Sequence, residues 1–251
     1  MDIAGRTALV TGGAHRVGGA ISLALAGAGA NLVVNYHSSE AEARATAEAA
    51  RSLGVDAVAR RADVADAEAV AEMVDFAEER FGGIDILVNS ASAFAPDPFP
   101  TTDFTVWHRT FDVVVHGAYH CSALVAPGMI ERSRGVIVNI VDLSAWQPWP
   151  DRGAHSVAKA ASLALTRQLA VELAPEVRAN AVALGPTIPP AHFGPDQVER
   201  LRRRTLLGRW AGGEEAGRAV RYLVEAEGVT GECLTVDGGE QYGHVRDRFG
   251  Q

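Results

Sequence analysis

The chain has 251 residues, 47% hydrophobic and 22% charged, with a formal net charge of −8. That balance belongs to a folded globular protein and excludes a disordered or fibrous one. It also argues against a nucleic-acid or anionic-membrane partner, since neutralising phosphates needs a basic surface, so a small-molecule substrate is expected.

Short apolar runs recur at 7–10, 31–34, 56–59, 84–88, 136–140, 179–183 and 233–236, each of strand length. Between them lie Ala-, Glu- and Arg-rich segments such as 40–53 and 66–81, with apolar residues at helical spacing. Strand alternating with helix predicts right-handed crossovers and a parallel sheet covered on both faces. The expected fold is therefore α/β, a Rossmann-type doubly wound domain with a seven-stranded parallel sheet. No Pro/Gly/Ser-rich linker divides 1–251, so one domain is expected. The least regular part, 185–213, contains Gly185, Pro186, Pro189, Pro190, Gly194 and Pro195 and predicts a loop with a short helix near 196–204. Irregular insertions of that length usually cover a site.

The first run leads into Thr11-Gly12-Gly13-Ala14-His15-Arg16-Val17-Gly18 and an apolar helix over 19–30. A glycine-rich turn there brings backbone N–H groups and a helix dipole against a pyrophosphate, which makes Gly12, Arg16, Val17 and Gly18 candidates for binding a dinucleotide. After the second run stands Tyr36-His37-Ser38-Ser39, with no acidic residue to repel a 2′-phosphate, so NADP(H) is the expected cofactor. Arg16 would add a charge nearby. The same four residues also read as a serine-capped helix start. Asp63, Val64, Asn89, Ala91, Gly185 and Thr187 follow later runs, at the strand ends where ligands gather.

The two cysteines, Cys121 and Cys233, show no ligand-like or disulfide-like spacing, so no metal site is expected and a reducing, cytoplasmic setting fits. Residues 1–6 lack the pattern of a signal peptide, and no segment reads as long and apolar enough to span a bilayer.

With Thr11 to Gly18, Asn89-Ser90-Ala91, Lys159 and Val236-Asp237-Gly238-Gly239, the chain resembles the short-chain dehydrogenase/reductase family over essentially its whole length. Within the family it is similar to the pteridine reductases. Most members have glycine where Arg16 stands, Asn89-Ser90-Ala91-Ser92-Ala93-Phe94 is similar to their segment, and Asp142 replaces the wider family's catalytic serine. The resemblance implies that Phe94 stacks on a flat substrate, that Ser92 lies beside cofactor and substrate, and that Lys159 holds the nicotinamide ribose. It also implies a homotetramer built through two long helices and the last strand. The family's tyrosine, four residues before the lysine, is here His155. The asparagine of its long central helix is here Val114.

His155 and Lys159 are one helical turn apart and share a face. An imidazole releases its proton at about 6.5 and a phenol at about 10, so histidine needs less tuning to act as a donor. A lysine charge favours its neutral form, and Asp142 favours its imidazolium. Imine nitrogen is easier to protonate in advance than a ketone oxygen, so Asp142, His155 and Lys159 point to C=N reduction of a pterin-like or cyclic imine substrate. Two other readings remain open: a carbonyl reductase or alcohol dehydrogenase, and an NADP(H)-binding regulatory protein without turnover.

Arg16, Ser92, Phe94, Asp142, Trp146 and Phe193 are the candidate substrate contacts. Trp146, Trp149, Phe193 and Trp210 either wall a flat substrate or anchor their loops. Ser144 either reaches the substrate or caps a turn. His116 and His120 read as interface or surface histidines, and 200–204 as a solvated basic helix face. The polar stretch 240–251 is a tail or a reach toward a neighbour.

Overall fold

Alternation along each apolar run decides the architecture. Leu9 is level with Val33 and Leu87, and Leu87 with Ile137, so the four form a row across adjacent strands, all on one face. All four are fully buried, against Val70, Met73, Val74, Val125 and Met129. One residue further on, Val10, Val34, Val88 and Val138 form the next row on the opposite face, packed with Ile21, Leu25 and Val220. Each such side chain contributes about 1.5–3 kcal/mol by burial, so a one-residue slip would exchange the rows and forfeit both.

The structure, a computed structural model, describes residues 1–243. Its strands are β1 (Thr7–Thr11), β2 (Asn31–Tyr36), β3 (Ala57–Arg61), β4 (Ile86–Asn89), β5 (Gly135–Asp142), β6 (Val177–Leu184) and β7 (Cys233–Val236). They form one parallel sheet in the order β3-β2-β1-β4-β5-β6-β7, the Rossmann-type α/β arrangement expected from the alternation of runs. Helices α1 (Arg16–Gly27), α2 (Glu40–Arg51) and α8 (Gly213–Glu225) cover one face. The other is covered by α3 (Ala67–Phe81), α5 (Gly117–Glu131) and α6 (Gly153–Leu173). The strand order reverses between β1 and β4, which opens a crevice at the carboxyl ends of the strands.

Helix α4 (Thr105–Phe111) runs through a π turn at Asp112–His116 into α5, giving 27 continuous helical residues at Thr105–Glu131. Contrary to the sequence expectation, this helix is long and apolar enough to cross a bilayer. Half of the apolar stretch is buried in the domain, against β4, β5 and α6, which accounts for its composition. The 185–213 segment contains α7 (Pro195–Arg204). The 240–251 stretch begins with a 3-10 turn at Glu240–Tyr242 and, from 244 on, lies outside the described residues.

A buried polar ladder ties the strand ends to α6. The Thr11 hydroxyl donates to the Val88 carbonyl and accepts from the Ser90 and Ala91 amides. The Asn89 amide donates to Asn139 Oδ1 at 2.8 Å, and Asn139 donates to Thr166 Oγ1 at 2.9 Å. At its start α6 has no cap from its own N-cap residue, Arg152. Instead Asp97, from the distant 90–100 segment, accepts from the Ala154 N–H at 2.8 Å. Asp97→Ala should therefore destabilise the fold by about 1–2 kcal/mol, the worth of an N-cap, with Asp97→Asn losing less. Urea titrations of the two variants check this, and an unchanged midpoint in the alanine variant would contradict it.

Candidate active site

The turn after β1 is bare backbone where it meets α1. Gly12 has φ +59°, and a Cβ there would lie 3.0 Å from the Ala91 Cα; one at Gly18 would strike the Gly12 carbonyl oxygen. Gly18 thus lets the turn approach α1, and Gly12 lets it approach the Ser90–Ala91 backbone. The turn and the α1 N-terminus make the cradle that a pyrophosphate fits. Beside it is a cleft of about 340 Å³ whose lining includes Gly12, His15, Tyr36, His37, Ser38 and Asp63.

Two basic residues that sequence reasoning missed shape this cleft. Arg109, on α4, donates to both oxygens of Asp63, at 3.0 and 3.4 Å. Burial pushes the Asp63 carboxyl up, but the Arg109 hydrogen bonds and charge and the Ala65 amide outweigh it and hold the group below its usual range. Arg61, at the end of β3, donates to the His37 carbonyl at 3.2 Å, which brings its guanidinium beside the 36–39 turn. Both contacts are made by residues remote in the chain, with no local pattern to announce them.

Arg16 departs from the sequence expectation. Its φ is +52°, a conformation glycine tolerates and other residues adopt at a cost of about 1–3 kcal/mol. Its guanidinium donates to the Ile188 and Pro189 carbonyls, at 2.8 and 3.3 Å, and lines neither the cleft nor the larger cavity next to it. Here Arg16 fastens the 185–213 segment to the glycine-rich turn.

The larger cavity, of about 640 Å³, meets the cleft at Ser92. Val17, Lys159, Gly185 and Thr187 line its cofactor side, and Ser92, Phe94, Asp142 and Phe193 the rest of the expected set. Asn89, Ala91 and Val64 surround a small adjoining void of about 10 Å³, and the buried Asn89 Oδ1 has no hydrogen-bond partner. Trp146 is not in the cavity wall, whereas Trp149 and Trp210 are. Trp210 donates its indole N–H to the Val198 carbonyl, which pins α7 over the cavity.

Asp142 ends β5 and Lys159 lies on α6, both facing the cavity. The Lys159 ammonium donates to the Ile140 carbonyl at 2.8 Å and is 4% exposed as a residue. Burial lowers its pKa, and the Asp142 charge works against that. For Asp142 the largest influence is burial, which pushes the carboxyl up. The His155 hydrogen bond, the Lys159 charge and the Ser144 hydroxyl together outweigh it, so the group stays below the usual aspartate value. Ser144 is spent on that carboxylate, donating from both its amide and its hydroxyl to Oδ1.

His155 stands behind Asp142 and is not part of the cavity wall. Its Nε2 is 2.7 Å from Asp142 Oδ2, and its Nδ1 is 3.3 Å from the Ala93 carbonyl. Phe94 meets its ring edge-on at 4.8 Å and Trp149 stacks on it at 6.0 Å, while the Arg152 guanidinium lies 4.9 Å over the Phe94 ring. The residue is 4% exposed. Its two ring nitrogens thus face the Asp142 carboxyl on one side and the Ala93 carbonyl on the other. The i, i+4 spacing fixed the face of α6 that carries His155 but not its depth, which the aromatic loops set.

Among the described residues no group of three His, Cys, Asp or Glu side chains is placed to hold a metal. His116 pairs with Asp112, and His120 with the Val64 carbonyl. Of the basic run 200–204, Arg202 and Arg203 pair with Glu199 on the solvent side, but Arg204 turns into the cavity wall.

Residues 12–241 match the family model described as Enoyl-(Acyl carrier protein) reductase. The chain is 32% identical to 3beta-hydroxysteroid dehydrogenase 1 of Eggerthella lenta, over 95% of this chain and 94% of that one. Among solved structures, FolM alternative dihydrofolate reductase 1 from Brucella suis, in complex with NADP, is 34% identical with a TM-score of 0.89 and covers 96% of both chains. A gluconate 5-dehydrogenase from Burkholderia cenocepacia, in complex with NADP and tartrate, is 31% identical with a TM-score of 0.88, over 95% of this chain and 96% of that one.

The Arg16 geometry predicts a split between strain and loop order. Arg16→Gly should relieve the backbone and leave thermal stability equal or higher, yet loosen 185–213. Arg16→Ala should keep the strain and lose both carbonyl contacts. Limited proteolysis should therefore cut both variants faster within 185–213, with only the alanine variant losing melting temperature; protection equal to the parent in both would contradict the assignment.

Proposed function

The chain belongs to the short-chain dehydrogenase/reductase family of NAD(P)-dependent oxidoreductases, and from that premise we propose that it uses NADPH to reduce a C=N bond in a flat heterocycle such as a pterin or a cyclic imine. The observation that carries this reading is the carboxyl of Asp142 in the cavity wall with His155 bonded behind it at 2.7 Å, where a ketone reductase of this family would present a hydroxyl pair. The likeness to a FolM dihydrofolate reductase supports it. Preference for NADPH is supported by Tyr36-His37-Ser38-Ser39, which carry no acidic side chain, and by Arg61 beside them.

The two bare glycines at 12 and 18 would take the pyrophosphate, the 36–39 turn and Arg61 the 2′-phosphate, and Lys159 the nicotinamide ribose. When bound, the cofactor supplies hydride to the C=N carbon. The protein's task is then one proton for the nitrogen. His155 and Asp142 share that proton across their short hydrogen bond, and only Asp142 has access to the cavity. As the proton passes to nitrogen, Asp142 is left ionised, accepting from the new N–H, and His155 is left neutral behind it. Solvent recharges the pair after product leaves. Phe94, Trp149 and Phe193 offer flat apolar surface to the ring and exclude water from the carboxyl. Lys159 keeps Asp142 from drifting to the protonated form between turnovers.

NADPH oxidation with dihydropterins, cyclic imines and ketones tests the proposal. Imine or pterin turnover is expected, falling about 10²–10⁴-fold in Asp142→Asn, the range for loss of a positioned acid. His155→Phe should lose less at low pH than at high pH, because bulk acid can recharge an isolated carboxyl only when protons are plentiful. Turnover of ketones alone would favour the carbonyl-reductase reading. Tight NADPH binding without turnover of any class would favour a regulatory protein.

A further inference from the structure

The cavity has a second polar end that the proton-transfer chemistry does not use. Glu240 follows β7, and its side chain, 7% exposed, lines the cavity beside Arg204 at the end of α7. Arg204 Nη2 lies 3.1 Å from Glu240 Oε1, and the Arg204 side chain is 57% exposed. In the sheet β6 lies between β7 and β5, so Glu240 and Asp142 follow strands two places apart. Between the two ends the wall is apolar and aromatic: Trp149, Pro190, Phe193, Leu201 and Trp210. A substrate that fills the cavity therefore has a reactive flat end and a distal end that meets charge.

The sign of that charge follows from the groups present. Among the described residues the charged groups there are Arg204, Glu240 and, behind it, Asp237, whose carboxylate caps the Gly239 and Gln241 amides. The one guanidinium pairs with Glu240, while the Asp237 carboxylate behind it is held by backbone amides, so carboxylates outnumber the guanidinium at this end; the guanidinium is the more solvated of the paired groups. Burial raises the Glu240 pKa, Arg204 offsets part of this, and Asp237 adds to it. A buried carboxylate with incomplete compensation is stabilised by a further cation or N–H donor and destabilised by a further anion.

We propose that Glu240, oriented by Arg204, is the specificity-determining residue of the cavity, selecting substrates that carry an ammonium or other strong N–H donor at the end remote from the reducible bond. The chemical class is thus a flat C=N heterocycle with a basic side chain. The reducible end rests on the reductase reading above; the basic end rests on the cavity alone.

Three 3,4-dihydroisoquinolines differing only in a short chain on the benzo ring, ending in ammonium, methyl or carboxylate, separate the two. Their aromatic isoquinoline counterparts, which carry no reducible imine, report binding to the NADP⁺-loaded protein by titration calorimetry. The ammonium probe should bind roughly 10-fold to 100-fold more tightly than the methyl probe, the worth of one charged hydrogen bond. Glu240→Gln should abolish the difference, and Arg204→Met should widen it by removing the competing cation. Equal binding of the three probes to the parent protein, tightest binding of the carboxylate, or an ammonium preference that survives Glu240→Gln would each overturn the assignment. The parent panel and Arg204→Met decide the matter even if Glu240→Gln does not fold. Ammonium selectivity without turnover of any dihydroisoquinoline would overturn the reductase reading and leave this one standing; turnover without selectivity would do the reverse.

Discussion

The contact between Asp142 and His155 is the constraint around which the site is arranged. Two ionisable groups and the Lys159 ammonium are enclosed where water is scarce, and a buried charge persists only if it is paired and hydrogen-bonded. Each member is held accordingly: Asp142 by Ser144 and His155, Lys159 by the Ile140 carbonyl, and His155 by Asp142 and the Ala93 carbonyl. Their mutual placement comes from elements far apart in the chain. The end of β5 supplies the carboxyl, α6 the histidine and lysine one turn apart, and Asp97 fixes where α6 starts. The polar ladder from Thr11 through Asn89 and Asn139 to Thr166 locks that helix to the sheet.

That enclosure sets what His155 can reach. Its imidazole ends at the Asp142 carboxyl, with Nε2 2.7 Å from Oδ2. Phe94 and Trp149 pack against the ring. On the central helix, Val114 lies in the π turn and supplies no polar side chain, and Ser162 donates to its carbonyl at 3.2 Å.

Much of this was legible in the sequence, for reasons that also mark the limit. The seven runs alternate between two faces, so strand positions, parallel pairing and the crevice followed from periodicity alone. Spacing placed His155 and Lys159 on one face of a helix, and the family resemblance pointed to Asp142. Spacing could not give depth, because the Phe94 and Trp149 walls come from loops, and depth is what removes His155 from the cavity surface. Arg16, expected from the sequence beside cofactor and substrate, donates to the 188–189 carbonyls, a contact with residues remote in the chain. Arg61, Arg109 and Glu240 gave no local signal: each gains its place from a contact with a residue remote in the chain. The helix at Thr105–Glu131 is apolar enough to cross a bilayer, a property the separate sequence runs did not show because its length comes from joining α4, the π turn and α5.

The central claim, that the Asp142 carboxyl and the His155 ring share a proton at this site, is most directly tested by NMR of the protein labelled with nitrogen-15 in its histidine rings. His155 Nε2 should carry a proton hydrogen-bonded to Asp142, with a proton resonance shifted far downfield that Asp142→Asn moves or abolishes. A His155 ring whose Nε2 carries no such proton would contradict the account.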